Sequence, residues 1–125
     1  MYILTVEDKF SSAHQLRGYK GKCENIHGHN WKVVLSVKGE ILNNIGLLID
    51  FTDLKSMLKK VTEMLDHKNI NEVPPFEELN PSSENIAKFI SDIIQSELTK
   101  SFDGIIVDSV TVWESDTSRC CYIAK

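Results

Sequence analysis

Apolar and polar residues alternate from residue 2 to 14, which puts Leu4, Val6 and Phe10 on one face together with Ser12 and His14. A period of two is the signature of a strand with one buried face. The alternation is cleaner from 27 to 38: Trp31, Val33, Leu35 and Val37 fall on one side, and Asn30, Lys32, Ser36 and Lys38 on the other. Between these strands, residues 15–26 carry two glycines and many polar groups and read as a loop. Residues 43–46 (NNIG) read as a turn. The period then lengthens. Leu54, Leu58, Val61 and Leu65 form a helical stripe over 52–66. Residues 68–81 hold Pro74, Pro75 and Pro81 and are expected to be loop. A second helix starts near Ser82, a good N-cap, with Glu84 in the first turn where the helix dipole favours an anion. Its stripe is Ile86, Phe89, Ile90, Ile93, Ile94 and Leu98. Residues 104–114 and 119–124 return to strand character. The order ββααββ predicts an α+β fold: a four-stranded antiparallel sheet with two helices on one face.

The chain has 125 residues, a fitting size for one domain spanning 1–125. Such a domain can build a core without disulfides or a structural metal. The net charge of −4 and the lack of a basic cluster argue against nucleic-acid binding. No apolar run reaches the length of a membrane span, and the first eight residues lack the features of a signal peptide. Three cysteines make a poor disulfide framework, so a cytoplasmic location is expected.

His27 and His29 share the parity of Trp31, Val33, Leu35 and Val37, so both imidazoles point to the buried side of their strand. His14 has the parity of the apolar residues of the first strand. If the two strands pair, three imidazoles converge. Three histidine nitrogens around one ion, with a fourth position open, is a catalytic zinc arrangement, although imidazole suits other transition metals too. The competing explanation is a set of core histidines satisfied by hydrogen bonds. Gly28 is expected to bend the backbone or to let another group approach closely.

The run Phe10-Ser11-Ser12-Ala13-His14, followed by Cys23-Glu24-Asn25-Ile26-His27-Gly28-His29-Asn30, resembles the 6-pyruvoyltetrahydropterin synthase family. Asp50-Phe51-Thr52-Asp53-Leu54, Leu65-Asp66-His67, Asn80-Pro81-Ser82-Ser83-Glu84-Asn85-Ile86-Ala87 and Val112-Trp113-Glu114 extend the likeness in order over almost the whole chain. The family includes the 6-carboxytetrahydropterin synthases of queuosine and deazapurine synthesis. The resemblance implies the tunnelling fold, in which sheets of three subunits form a barrel and two trimers commonly stack into a homohexamer. It implies zinc on His14, His27 and His29, and 7,8-dihydroneopterin triphosphate as substrate.

Cys23 lies four residues before His27. A thiolate beside a dication can act as base or nucleophile; alternatively it closes a structural zinc site. The resemblance implies a general base. Asp66 and His67 end the first helix, where a histidine can also simply meet the last carbonyls and the negative end of the dipole. The resemblance implies that this pair joins the cysteine in proton transfer, often the cysteine of a neighbouring subunit. Glu114 continues the parity of Val110 and Val112, and an inward carboxylate is costly without a partner. The donor edge of a pterin is such a partner, and the resemblance implies that Glu114 anchors it; the alternative is an exposed strand end. Cys120 and Cys121 read as packing residues. Arg17, Lys20, Lys22 and Arg119 can meet a triphosphate, though surface cations are usually only solvated.

Within the family one branch makes 6-pyruvoyltetrahydropterin, another 6-carboxytetrahydropterin with acetaldehyde, and a third 6-hydroxymethyldihydropterin using a glutamate near the cysteine. The short spacing Cys23-x-x-x-His27 resembles the carboxy branch. Glu24, directly after Cys23, departs from that pattern and is a candidate second base; it is equally well read as a solvated loop residue. A reading of a different class is a non-enzymatic zinc-binding module closed by Cys23.

Overall fold

The sequence patterns fold into two long strands, two helices and a terminal hairpin. The structure is a computed structural model that describes residues 1–19, 21 and 25–125. Strands β1 (Tyr2–His14) and β2 (His27–Gly39) precede helices α1 (Phe51–Leu65) and α2 (Ser83–Ser101), and strands β3 (Ile106–Ser115) and β4 (Ser118–Ile123) follow. The strands lie in the order β1-β2-β3-β4, each antiparallel to the next. The predicted antiparallel α+β architecture is therefore the one observed.

β1 is unbroken over its whole length, and its register pairs Phe10 with Trp31, Ser12 with His29 and His14 with His27. Val6, Phe10, Trp31, Val33, Leu35, Val37, Val107, Val110 and Val112 turn one face of the sheet to the helices and are buried. Asp8 falls on that face too. Its presence is explained by Thr62 of α1, whose hydroxyl donates to Asp8 Oδ2 at 2.6 Å.

α1 begins one residue before the apolar stripe suggests, because the Asp50 carboxylate accepts from the Thr52 N–H and caps the helix. Leu54, Leu58, Val61 and Leu65 are buried as the period requires. α2 is capped by Ser82, whose hydroxyl accepts from the Asn85 N–H. The stretch 68–81 is less of a loop than its prolines imply. It contains a 3-10 turn at Ile70–Glu72, and it sends Ile70 and Phe76 into the core. Gly28 sits in regular strand opposite Ala13, and a Cβ there would meet no atom within 4 Å. Neither a bend nor a close approach within the chain requires glycine at that position.

No helix among the described residues is long and apolar enough to cross a membrane. Leu54 is completely buried between helix and sheet. Leu54→Ala is expected to cost about 2–5 kcal/mol, through lost transfer energy and the cavity left behind. Urea unfolding measures it; a loss below about 1 kcal/mol would contradict the packing described.

Candidate metal and active site

Three strand ends meet at one edge of the sheet, and each brings an ionisable side chain. His14 closes β1, His27 and His29 open β2, and Glu114 lies near the end of β3. One ligand atom from each of the four lies within 4.8 Å of all the others. His14 Nε2 is 3.0 Å from His27 Nε2 and 3.2 Å from Glu114 Oε1. His29 Nε2 is 2.9 Å from the same oxygen, and His27 Nε2 is 3.9 Å from it. Antiparallel pairing sets the His14–His27 contact, and the alternation of β2 sets His29 on the same side.

The residues fit a metal ion. Nitrogens around a tetrahedral zinc stand about 3.3 Å apart, given Zn–N bonds of about 2.0–2.1 Å. The other ring nitrogens are already committed: Nδ1 of His14 lies 2.7 Å from the Pro81 carbonyl oxygen, and Nδ1 of His27 lies 2.7 Å from that of Asn25. A proton on each Nδ1 donates to its carbonyl and leaves the Nε2 lone pair facing the cluster, the usual outer arrangement of a metal-bound histidine. His29 Nε2 is buried and has no hydrogen-bond partner. Glu114 Oε1 approaches it to 2.9 Å, near enough for charge attraction. Burial lowers the pKa of His29, against the opposing pull of Glu114, and so favours the neutral ring that ligation requires.

His14 is 1% exposed, so of the three it is the one most firmly set in protein. It packs edge-on against Trp31, 4.8 Å between ring centroids, and Trp31 Nε1 donates to the Ser12 carbonyl at 3.1 Å.

Asp66 and His67 stand apart from the metal-ligand group. Asp66 is the C-cap of α1, and His67 follows with a left-handed φ of 54°. Strand β1 fixes this corner: Ser11 N–H donates to Asp66 Oδ1 at 2.9 Å, His67 N–H to the Ser11 carbonyl at 2.7 Å, and Ala13 N–H to the Lys68 carbonyl at 3.0 Å. The Ser12 hydroxyl also reaches the Leu65 carbonyl. The Ser11 N–H, and then the His67 ring, hold the Asp66 carboxyl below the usual carboxylate range. Asp66 Oδ2 lies 3.0 Å from His67 Nδ1, whose side chain is 81% exposed.

Cys23 and Glu24, with Lys20 and Lys22, lie outside the described residues. Arg17 is exposed and keeps its charge, and its guanidinium donates to the carbonyl of Phe76 at 2.7 Å and to those of Asn71 and Leu79 at 3.4 Å. Arg119 stacks on Trp113, 4.5 Å from the ring centroid, with Lys32 also over that ring at 5.5 Å. Cys120 is half-buried and burial raises its thiol pKa, as expected of a packing residue, whereas Cys121 is exposed. The alternation of strands reveals the inner ligands, but nothing in it reveals the Pro81 and Asn25 carbonyls. They belong to irregular segments, and their only sequence signal is the Asn80-Pro81-Ser82 run ahead of α2.

Three histidines and a carboxylate gathered at the strand ends of an antiparallel α+β sheet define a metal-site scaffold. Comparison with known proteins narrows the class. The model of the family described as 6-pyruvoyl tetrahydropterin synthase matches residues 3–125. The chain is 41% identical over 102 residues to the 6-pyruvoyl tetrahydrobiopterin synthase of Dictyostelium discoideum, covering 72% of this chain and 76% of that one. It is 31% identical to the 6-carboxy-5,6,7,8-tetrahydropterin synthase of Haemophilus influenzae, covering 98% of this chain and 99% of that one. The structure of Caenorhabditis elegans 6-pyruvoyl tetrahydropterin synthase superimposes with a TM-score of 0.82 at 28% identity, over 100% of this chain and 98% of that one. The chain belongs to the 6-pyruvoyl tetrahydropterin synthase family, a family of enzymes.

Metal analysis of the purified protein is expected to give about one ion per chain, with large losses in His27→Ala and in His29→Ala. Full occupancy in both variants would refute the site.

Proposed function

We propose that the chain catalyses zinc-dependent conversion of 7,8-dihydroneopterin triphosphate to 6-carboxy-5,6,7,8-tetrahydropterin, with release of acetaldehyde and triphosphate. This step belongs early in the synthesis of queuosine and related deazapurines. The observation that carries the reading is the convergence of the Nε2 atoms of His14, His27 and His29 in a chain of this family. Bound zinc supplies Lewis acidity toward the side-chain oxygens of the substrate, lowering the cost of removing nearby protons.

The chain's own residues then divide the work. His14, His27 and His29 hold the ion, with Nδ1 of His14 and of His27 fixed by carbonyls. Cys23, four residues from His27, abstracts a side-chain proton. His67 handles a second proton, oriented by the Asp66 carboxylate 3.0 Å away. Glu114 accepts hydrogen bonds from the ring N–H and amino group of the pterin. It is 2.9 Å from His29, which would place the substrate against the metal.

His67 is exposed and outside the ligand group of its own chain. A site completed by a second subunit accounts for that placement. We therefore infer a homo-oligomer, a trimer whose sheets close into a barrel and which stacks into a hexamer. The sheet ends in β1 and β4; the outer edge of β1 is taken by residues 66–69 from Ser11 onward, so the stretch of β1 before Ser11 and the edge of β4 are the ones open to strand pairing.

Relatives named for the pyruvoyl product and for the carboxy product both match the chain, so membership of the family leaves the product open. The Cys23-x-x-x-His27 spacing supports the carboxy route. Separation of the products from 7,8-dihydroneopterin triphosphate tests it: 6-carboxytetrahydropterin is expected, and 6-pyruvoyltetrahydropterin alone would contradict it. Cys23→Ala should keep its metal and lose most turnover. Loss of the metal together with the fold would instead make Cys23 a structural ligand of a zinc-binding module. Glu114→Gln should keep the metal and weaken binding of a pterin analogue by about 1–3 kcal/mol, because a donor would then face donors.

Glu24, next to Cys23, supports a second activity: removal of a proton at a different side-chain position, favouring carbon–carbon cleavage to 6-hydroxymethyldihydropterin. Glu24→Gln is then expected to lose that product and retain the carboxy product. An unchanged product ratio would reduce Glu24 to a loop residue.

A further inference from the structure

β1 ends at His14, but its hydrogen-bonding pattern continues through side chains. Asn71 accepts from the Gln15 N–H at 2.8 Å through Oδ1 and donates from Nδ2 to the Gln15 carbonyl at 3.0 Å. Two residues on, Asn80 repeats the arrangement with Arg17, accepting its N–H and donating to its carbonyl, each at 2.9 Å. An asparagine amide presents one acceptor and donors much as a peptide group does. Two amides, on alternate residues, thus extend the pairing of the strand past the metal ligand. The carbonyl next along from Asn80 is that of Pro81, the oxygen that receives His14 Nδ1 at 2.7 Å. Asn80 is held in turn by Asn85, whose Nδ2 donates to its carbonyl at 2.9 Å. The Arg17 guanidinium ties the same 71–79 stretch to the extension through carbonyls alone.

We propose that Asn80, supported by Asn71, is a positioning residue of the metal centre, acting through the Pro81 carbonyl on the rotamer and tautomer of His14. The clamp holds two backbones at a fixed spacing. His14 belongs to one of them, and the oxygen that orients its ring belongs to the other. Without the Asn80 amide, the Asn85 bond still holds the carbonyl of residue 80 from the α2 side, but the tie to the Arg17 backbone is gone, so the Pro81 carbonyl can shift relative to Nδ1 and hold the His14 ring less tightly. Removing a direct outer partner of a ligating histidine changes metal affinity by about 10–100-fold, and Asn80 acts one step further out, so the lower end of that range applies. The inference rests on the proposed metal site but on no step of pterin chemistry.

The test is zinc affinity by competition with a chromophoric chelator, on the full chain without substrate. Asn80→Ala is expected to bind zinc about 10-fold more weakly, with about one ion per chain at saturation. Asn80→Asp, nearly isosteric, keeps the acceptor and loses the donor, so it should fold and show an intermediate loss. Gln95→Ala serves as the stability control. It removes an acceptor of the Val107 N–H (2.9 Å) at the far end of the sheet, and it should lower the melting temperature without changing zinc affinity. The spectroscopic counterpart is the His14 Nδ1 proton in the NMR spectrum of the zinc-loaded protein. It should be protected from exchange in wild type and exchange-broadened in Asn80→Ala. Wild-type zinc affinity in both Asn80 variants, with the proton still protected, would overturn this proposal and leave the proposed function standing. Absence of zinc binding by the wild type would overturn both.

Discussion

A slip of one residue between β1 and β2 would turn every side chain of one strand to the opposite face. That register joins the core of this protein to its chemistry. The same pairing that sets Phe10 beside Trp31 sets His14 beside His27 and Ser12 beside His29. The apolar half of each strand therefore specifies the position of the polar half. Burying Val33, Leu35 and Val37 leaves no freedom over where His27 and His29 point. The ligand cluster is the continuation of the hydrophobic core to the end of the sheet, where imidazoles replace aliphatic side chains.

Placing polar groups at that position costs free energy unless each finds a partner. The structure meets the requirement in two layers. Carbonyls from irregular segments take the outward nitrogens of His14 and His27. The inward nitrogens face one another and Glu114, leaving His29 Nε2 unbonded. Three imidazole nitrogens and one carboxylate gathered on a shared point offer a cation four donor atoms at once. The corner carrying Asp66 and His67 is built on the same strand: the backbone of Ser11 and Ala13 that leads to His14 also fixes the turn after α1. One strand thus sets His14 and the Asp66–His67 pair in a fixed relation within the chain.

The regular elements were legible in the sequence because their periods are imposed by burial. The strand alternation, the Leu54–Leu65 stripe and the Ser82 cap all appear where their patterns place them. Parity pointed His14, His27 and His29 to one place and Glu114 inward, but it gave no sign that Glu114 would join the three imidazoles. The irregular stretch after α1 was not legible. Its prolines mark a break in regular structure but say nothing of Ile70 and Phe76 entering the core, or of Asn71 and Asn80 pairing with the chain beyond β1. Arg17 shows the same limit. Its charge suggests a phosphate partner, and nothing in the linear pattern announces that its guanidinium also bonds three carbonyls of the 71–79 stretch. Side-chain to backbone bonds of this type have no period, so a linear pattern cannot announce them.

X-ray absorption at the zinc edge of the metal-loaded protein tests the central claim most directly, since it reads the donor atoms themselves. Three histidine ligands predict three nitrogen scatterers at about 2.0–2.1 Å, with imidazole multiple scattering and a remaining oxygen donor. A sulfur scatterer at about 2.3 Å, or fewer than three imidazoles, would contradict a site built from His14, His27 and His29 and return the cysteine to the metal.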